Sequence, residues 1–257
     1  MPISTPIRLQ GFMLFLLVAV SASGQMATNR ILAAHAQEVF TQAQRDFDAN
    51  PNAATNAIRL GRATYDLAEF ATNMEQRASV ARAGIDACHH LLGRDPNSAP
   101  GHYYLGMDYG ELAEAEAPSL AAYRLIREIE HEFKSAADLN DRLDYAGPIR
   151  CLGLLYRDAP GWPISIGSKH KAKEYLERAA ALAPNYPENQ MNLLESYVRW
   201  REEDNAEKTW RKLAALWPVA TTNLAGIDWE ADWADWTYRR QVAKEAFEKA
   251  FRHSPSP

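Results

Sequence analysis

Apolar residues in the second half of the chain return with a fixed long period. Ala172 and Ala206 are 34 residues apart, as are Pro184 and Pro218. Between these marks Leu176, Ala179 and Leu182 of one segment answer Trp210, Leu213 and Leu216 of the next, with polar residues filling the gaps. Spacings of three within each segment put the apolar set on one helix face. A long period superposed on a helical one predicts stacked helix pairs.

Further upstream, three segments carry a matching first-helix signature: Leu105-Gly106 with Tyr109, Leu152-Gly153 with Tyr156, and Leu193-Leu194 with Tyr197. Each follows a predicted closing turn, at Asp95-Pro96, Asn140-Asp141 and Ala183-Pro184, and Pro218 is expected to close the last pair. Small residues are needed where two helix backbones approach, and a proline stops the second helix before the next begins. This is the tetratricopeptide (TPR) pattern. The predicted fold class is all-α, a right-handed TPR-like superhelix with stretched repeats. From Leu105 to Leu152 is 47 residues, with most of the excess between Tyr109 and Phe133 around Pro118. From Leu152 to Leu193 is 41, and the excess falls in the loop 157–168. Leu60-Gly61 to Pro96 reads as another stretched unit, and Ile31 to Pro51 as half of an earlier one.

At the C-terminal end Trp229, Trp233 and Trp236 recur on one face of a helix expected over 231–251, with Arg239, Arg240 and Glu245 elsewhere on it. A terminal helix over the last open repeat is the expected cap. Packing into the core is the plainer role for the tryptophans, and a ligand-facing wall the alternative.

At the other end Arg8 precedes ten apolar-rich residues, 11–20, and the small residues 21–24. That order describes a secretory signal peptide, too short to span a bilayer comfortably. The expectation is a leader at 1–24, cleaved after Ala22 or Gly24, and a single TPR-like domain at 25–257. With no cysteine after the apolar run, the expected product is periplasmic and not lipid-anchored. Net charge is -5 over the whole sequence, which argues against a nucleic-acid partner. Cys88 and Cys151 fall on helices of non-adjacent repeats and read as buried apolar residues, although export would permit a disulfide.

Binding is the first expectation for such a surface. In the loop 157–168, Pro160 and Pro163 stiffen the chain around Trp162, so Arg157, Asp158, Trp162 and Pro163 are candidate contacts. The plainer alternative folds Trp162 back as a plug. Tyr103 and Tyr104 are adjacent on a helix, point different ways, and one can face the concave side. Tyr109 and Tyr156 sit at core positions. Asp108, Glu111 and Arg124 are further polar candidates. No metal or cofactor is expected: Cys88-His89-His90 lacks a matching ligand pair, and His131 between Glu130 and Glu132 lacks the i, i+4 arrangement. No nucleophile elbow, phosphate loop or dinucleotide fingerprint is present, so no enzyme is expected.

Five segments, 101–106 (GHYYLG), 122–127 (AYRLIR), 145–150 (YAGPIR), 152–160 (LGLLYRDAP) and 167–179 (GSKHKAKEYLERA), resemble the T-component family of tripartite ATP-independent periplasmic (TRAP) transporters. The similarity runs from about Ile85 to Pro218. Ser168 stands where a second glycine is common in that family, and the lipidation cysteine of many members is missing. The resemblance implies an exported helical-repeat accessory that contacts the periplasmic solute-binding receptor, with a small apolar ligand as a further expectation. The alternative is a general envelope scaffold taking a peptide or helix of another protein. A homo-oligomer stays open.

Overall fold

The computed structural model describes residues 22–161 and 164–252. Positions 1–21 of the expected leader, and Trp162 and Pro163, lie outside the described residues. Ten α-helices follow one another: α1 (Ala22–Ala49), α2 (Ala54–Ala68), α3 (Met74–Leu92), α4 (Ala99–Ala115), α5 (Leu120–Leu139), α6 (Leu143–Asp158), α7 (Lys169–Leu182), α8 (Pro187–Arg199), α9 (Glu203–Asn223) and α10 (Glu230–Phe247). A short 3-10 turn, Ile227–Trp229, precedes α10, and no β-strand occurs among the described residues. None of these helices is long and apolar enough to cross a membrane.

Local chemistry sets the helix starts. Asn73, Ser98, Ser119 and Ser168 each accept a hydrogen bond from the backbone N–H three residues on, opening α3, α4, α5 and α7. Each side chain satisfies a donor that the first turn leaves unpaired. Ser168 therefore has a capping task that glycine lacks.

Consecutive helices pair as α2/α3, α4/α5, α6/α7 and α8/α9, and each pair rests on the next. The core is correspondingly a chain of clusters. One joins Leu152, Leu155 and Tyr156 of α6 to Ile129 and Phe133 of α5, and another joins Leu176 to Met191, Leu194 and Leu213. Within a pair the backbones nearly touch. A Cβ on Gly106 would lie 2.7 Å from the Phe133 ring, and one on Gly153 would lie 2.7 Å from Leu176 Cγ. The leucine–glycine step is thus the seat for a buried apolar side chain of the second helix.

Between pairs, the repeating aromatic reaches back. Tyr109 of α4 meets His89 of α3 at 2.8 Å, Tyr156 of α6 donates to Glu130 of α5, and Tyr197 of α8 donates to Glu177 of α7 at 2.6 Å. Lys171 lies over the Tyr156 ring and Lys173 over that of Tyr197. Each ring is apolar at its body and anchored at its tip.

The predicted insertions fall at helix ends. The chain breaks between α4 and α5 around the cis Ala117–Pro118 bond. The α6–α7 loop is pinned by hydrogen bonds from Gly167 N to Pro160 O and from Ser168 N to Tyr156 O. Cys88 and Cys151 are free and buried, as read from the sequence.

Two expectations are corrected. Pro218 does not close the last pair: α9 continues to Asn223, because Ala220 and Leu224 are held in a cluster with Tyr186 and Trp236. The final helix ends at Phe247 and passes into a wider turn at Glu248–Arg252, short of a regular helix over 231–251.

The close approach makes a prediction. Gly153→Val forces branched methyls against Leu176, costs about 1–3 kcal/mol, and lowers the thermal midpoint by several degrees in a melt followed by circular dichroism. An unchanged midpoint would mean that the pair does not depend on this seat.

Candidate functional site

The first helices of successive pairs, α2, α4 and α6, form one wall of a cavity of ≈ 830 Å³. Helix α1 lines a second side through Leu32, Ala36 and Val39, and the 3-10 turn with α10 lines a third through Trp229 and Asp232. The two ends of the chain's helical array meet here, where His35 of α1 lies 3.2 Å from Asp228. The volume falls in the range of small-molecule sites.

One wall is built from strained backbone. Asp144, Tyr145 and Ala146 take φ of 47°, 54° and 65°, a left-handed turn of three non-glycine residues. Each such residue costs about 1–2 kcal/mol. The surroundings hold it: Arg150 donates to the Asp144 and Tyr145 carbonyls, and Asn189 Nδ2 donates to the Tyr145 carbonyl at 2.8 Å. Tyr145 stacks on Tyr186 with ring centroids 4.3 Å apart. The turn delivers the Asp144 carboxylate to the cavity, where it accepts from the Tyr103 hydroxyl at 2.7 Å and pairs with Arg150 at 3.4 Å. Such strain is found where the surrounding structure over-determines it, commonly at functional positions.

The wall is mixed, not apolar. Tyr65, Tyr104 and Trp229 supply aromatic surface, while ten carboxylates stand against four arginines among the described lining residues. Carboxylates that touch cavity water but are ringed by protein lose much of their hydration. Burial raises Asp66 to about 6, with Arg62 opposing and Asp144 reinforcing the shift. Burial, and then Glu188 and Asp66, raise Asp232 to about 7. Glu69 is exposed, yet the protein around the cavity, and then Glu111 and Asp66, still push it upward from the usual carboxylate range. Glu188 behaves oppositely: burial pushes it up, but Arg239 and Arg150 together hold it below its ordinary value.

Arg239 also fixes the cap. From α10 it donates to Glu195 at 2.8 Å, to Glu188 at 2.9 Å and to Asn192 at 2.6 Å, all on α8, and to Asp235 at 3.0 Å on its own helix. Trp236 beside it is buried and donates its indole N–H to Glu188. Trp233 donates to the Leu224 carbonyl at 2.6 Å. The three tryptophans thus divide their labour: Trp236 is core, Trp233 packs beside it, and Trp229 faces the cavity.

The sequence candidates separate in space. Tyr103 and Tyr104 both line the cavity, Tyr103 almost wholly buried. Glu111 lines it too, 3.1 Å from Arg77. Arg157 and Asp158 do not: Arg157 grips Asp158 at 2.7 Å and Ser196 at 3.2 Å, and Arg199 closes on Asp158 at 2.6 Å, tying α6 to α8. Asp108 is fully buried between helices, accepting from Thr64 at 2.9 Å. Trp162 and Pro163 are outside the described residues. The carboxylates Asp66, Glu69 and Asp232 and the arginines Arg150 and Arg239 were missed as site residues, because each reads as part of a solvated helix face. The sequence signal for one of them was the Tyr-Ala-Gly-Pro-Ile-Arg150 segment. No group of three or more potential metal ligands occurs among the described residues.

Comparison with known proteins places this architecture. No family model and no curated protein matches the sequence. Among solved structures the chain is similar to TTC0263, a thermophilic TPR protein of Thermus thermophilus, with a TM-score of 0.62 and 19% identity over 86% of this chain and 96% of that one. Yeast Tom70 aligns with a TM-score of 0.34 and 11% identity, over 98% of this chain and 69% of that one. The fold is a TPR-like α-α superhelix.

Two outcomes follow from the electrostatics. Asp232 has a raised pKa in the folded state, so its contribution favours folding below about pH 4 and is lost as pH rises through about 7. Asp232→Asn is therefore expected to raise the thermal midpoint by roughly 2–4 °C at pH 8, after allowance for cavity water, and to leave it unchanged at pH 4. Arg239→Met strands three carboxylates and is expected to cost about 3–5 kcal/mol. Tryptophan fluorescence should shift to the red as Trp236 becomes wet.

Proposed function

We propose that this chain is a non-enzymatic binding protein whose concave cavity is the binding site, acting in the periplasm as a T-component-like accessory of a TRAP-type uptake system. The observation that carries the reading is the cavity itself, walled by the first helices and flanked by α1 and α10. A TPR-like superhelix uses its concave side for recognition. The resemblance to the T-component family adds support, since two of the segments that carry it, 101–106 and 145–150, supply Tyr103, Tyr104 and Arg150 to the wall. The apolar run at 11–20 supports export. In this role the cavity holds a small ligand while the outer helix faces meet the solute receptor.

Native mass spectrometry of the mature protein, purified from its own periplasm and then gently denatured, tests the reading. The expected result is one small molecule released per chain and co-purification of the solute receptor. An empty cavity with another polypeptide bound would move the function to an envelope scaffold that takes a peptide or helix.

A further inference from the structure

Where α2, α3 and α4 meet, a carboxyl group lies with no charge to meet it. Asp108 of α4 is wholly buried, and its Oδ2 is sealed from solvent without a hydrogen-bond partner. Helix α3 crosses directly over it at Gly84, where a Cβ would lie 2.1 Å from Asp108 Oδ2 and 2.1 Å from Thr64 Oγ1 of α2. Three arginines on these helices turn elsewhere: Arg62 to Asp66, Arg77 to Glu111 and Arg82 to Glu116. None of the ion pairs among the described residues includes Asp108. A buried carboxylate without a cation is costly enough that such a group ordinarily neutralises instead.

The hydrogen bonds around Thr64 say where the proton goes. Thr64 Oγ1 lies 2.9 Å from Asp108 Oδ1, 3.0 Å from the Leu60 carbonyl and 2.9 Å from the Gly61 carbonyl. A hydroxyl has one hydrogen to give and two lone pairs with which to accept. If Asp108 were ionised, that hydrogen would have to turn to it, leaving Oγ1 bare against two carbonyl oxygens. With a proton on Asp108 the contacts are met: the acid donates to Oγ1, and the hydroxyl donates back to its own helix, a common bond for a threonine inside a helix. The proton thus reverses the direction of the 2.9 Å contact. Oδ2 becomes an uncharged carbonyl oxygen, whose lack of a partner costs far less than that of a buried charge.

We propose that Asp108 is kept as a neutral carboxylic acid and forms a proton-dependent joint between α2, α3 and α4. Acidification tightens this part of the array, and alkaline conditions loosen it. Burial pushes Asp108 well above the usual carboxylate range; Thr64 opposes the shift, and Glu111 of α4 and Asp66 of α2 reinforce it. Cys88 of α3, one turn beyond Gly84, is itself raised by burial and then by Asp108. Tyr104, one turn before Asp108 on α4, lines the cavity, so the joint lies in the elements that form the cavity wall. The folded chain holds this proton, whereas an unfolded chain loses it above about pH 4. Unfolding therefore releases one proton. The contribution of Asp108 to stability is full below about pH 4 and falls as pH rises, until the acid ionises within the fold.

Chemical denaturation of the mature chain and of Asp108→Asn between pH 5 and pH 8 tests the proposal. Asparagine keeps the shape and a donor for Thr64 but carries no titrating proton. The other carboxyls are common to both proteins and cancel in the comparison. The expected result is that the unfolding constant of the wild type, divided by that of the variant, grows about tenfold per pH unit and levels only where Asp108 ionises in the fold. A ratio that is constant from pH 5 to pH 8 overturns the proposal. A second measurement needs no variant: the carboxyl-carbon NMR shift of Asp108 in the wild-type chain should stand at the protonated position at pH 6. A shift at the ionised position there overturns the proposal, even if Asp108→Asn fails to fold.

Discussion

The structure depends on one buried guanidinium. Arg239 is the only link among the described hydrogen bonds that gathers Glu188, Glu195 and Asn192 of α8 with Asp235 of α10 onto a single planar group. Without it, four polar side chains would share a water-poor interface with no common donor. With it, α10 lies on the last first-helix of the array, Trp236 is sealed, and Trp229 and Asp232 are turned toward the cavity. A repeat array has no intrinsic reason to stop, and an open final pair exposes apolar surface. Here the stop is ionic as well as hydrophobic, and the same carboxylates that hold the cap contribute to the cavity's field.

Much of the fold was legible in the sequence because repeat packing imposes rules on individual positions. Gly106 and Gly153 mark where Phe133 and Leu176 must enter, and Tyr109, Tyr156 and Tyr197 mark where each pair reaches back to its predecessor. Such positions recur because the geometry recurs. Pro218 misled for the converse reason. Its position copies that of Pro184, but the helix it sits in has Ala220 and Leu224 to bury, and tertiary packing overrode the local breaker.

The site was far less legible. Tyr103 and Tyr104 were visible as an aromatic pair on a first helix, and both reach the cavity. Glu69, Asp66 and Asp232 were not, since a carboxylate on a helix face has one appearance in sequence whether it meets bulk water or a shared enclosure. What distinguishes them is the curvature that brings α2 and α10 together, a property of the summed rotations between pairs. The left-handed turn at Asp144–Ala146 was equally hidden: none of the three residues is glycine, and the conformation exists because Arg150 and Asn189 from outside the turn supply its hydrogen bonds.

The meeting of His35 with Asp228 has a mechanical consequence. Each pair packs chiefly on its neighbours, so a small rotation at each junction adds to the next along the array. The gap between α1 and the turn before α10 is where all of these rotations accumulate. An exposed contact, 3.2 Å long, therefore spans the place of greatest leverage, like the hook at the end of a coil spring. The spring's pitch sets the width of the gap. Whatever grips the outer faces of α3, α5 or α7 can alter access to the interior without touching it.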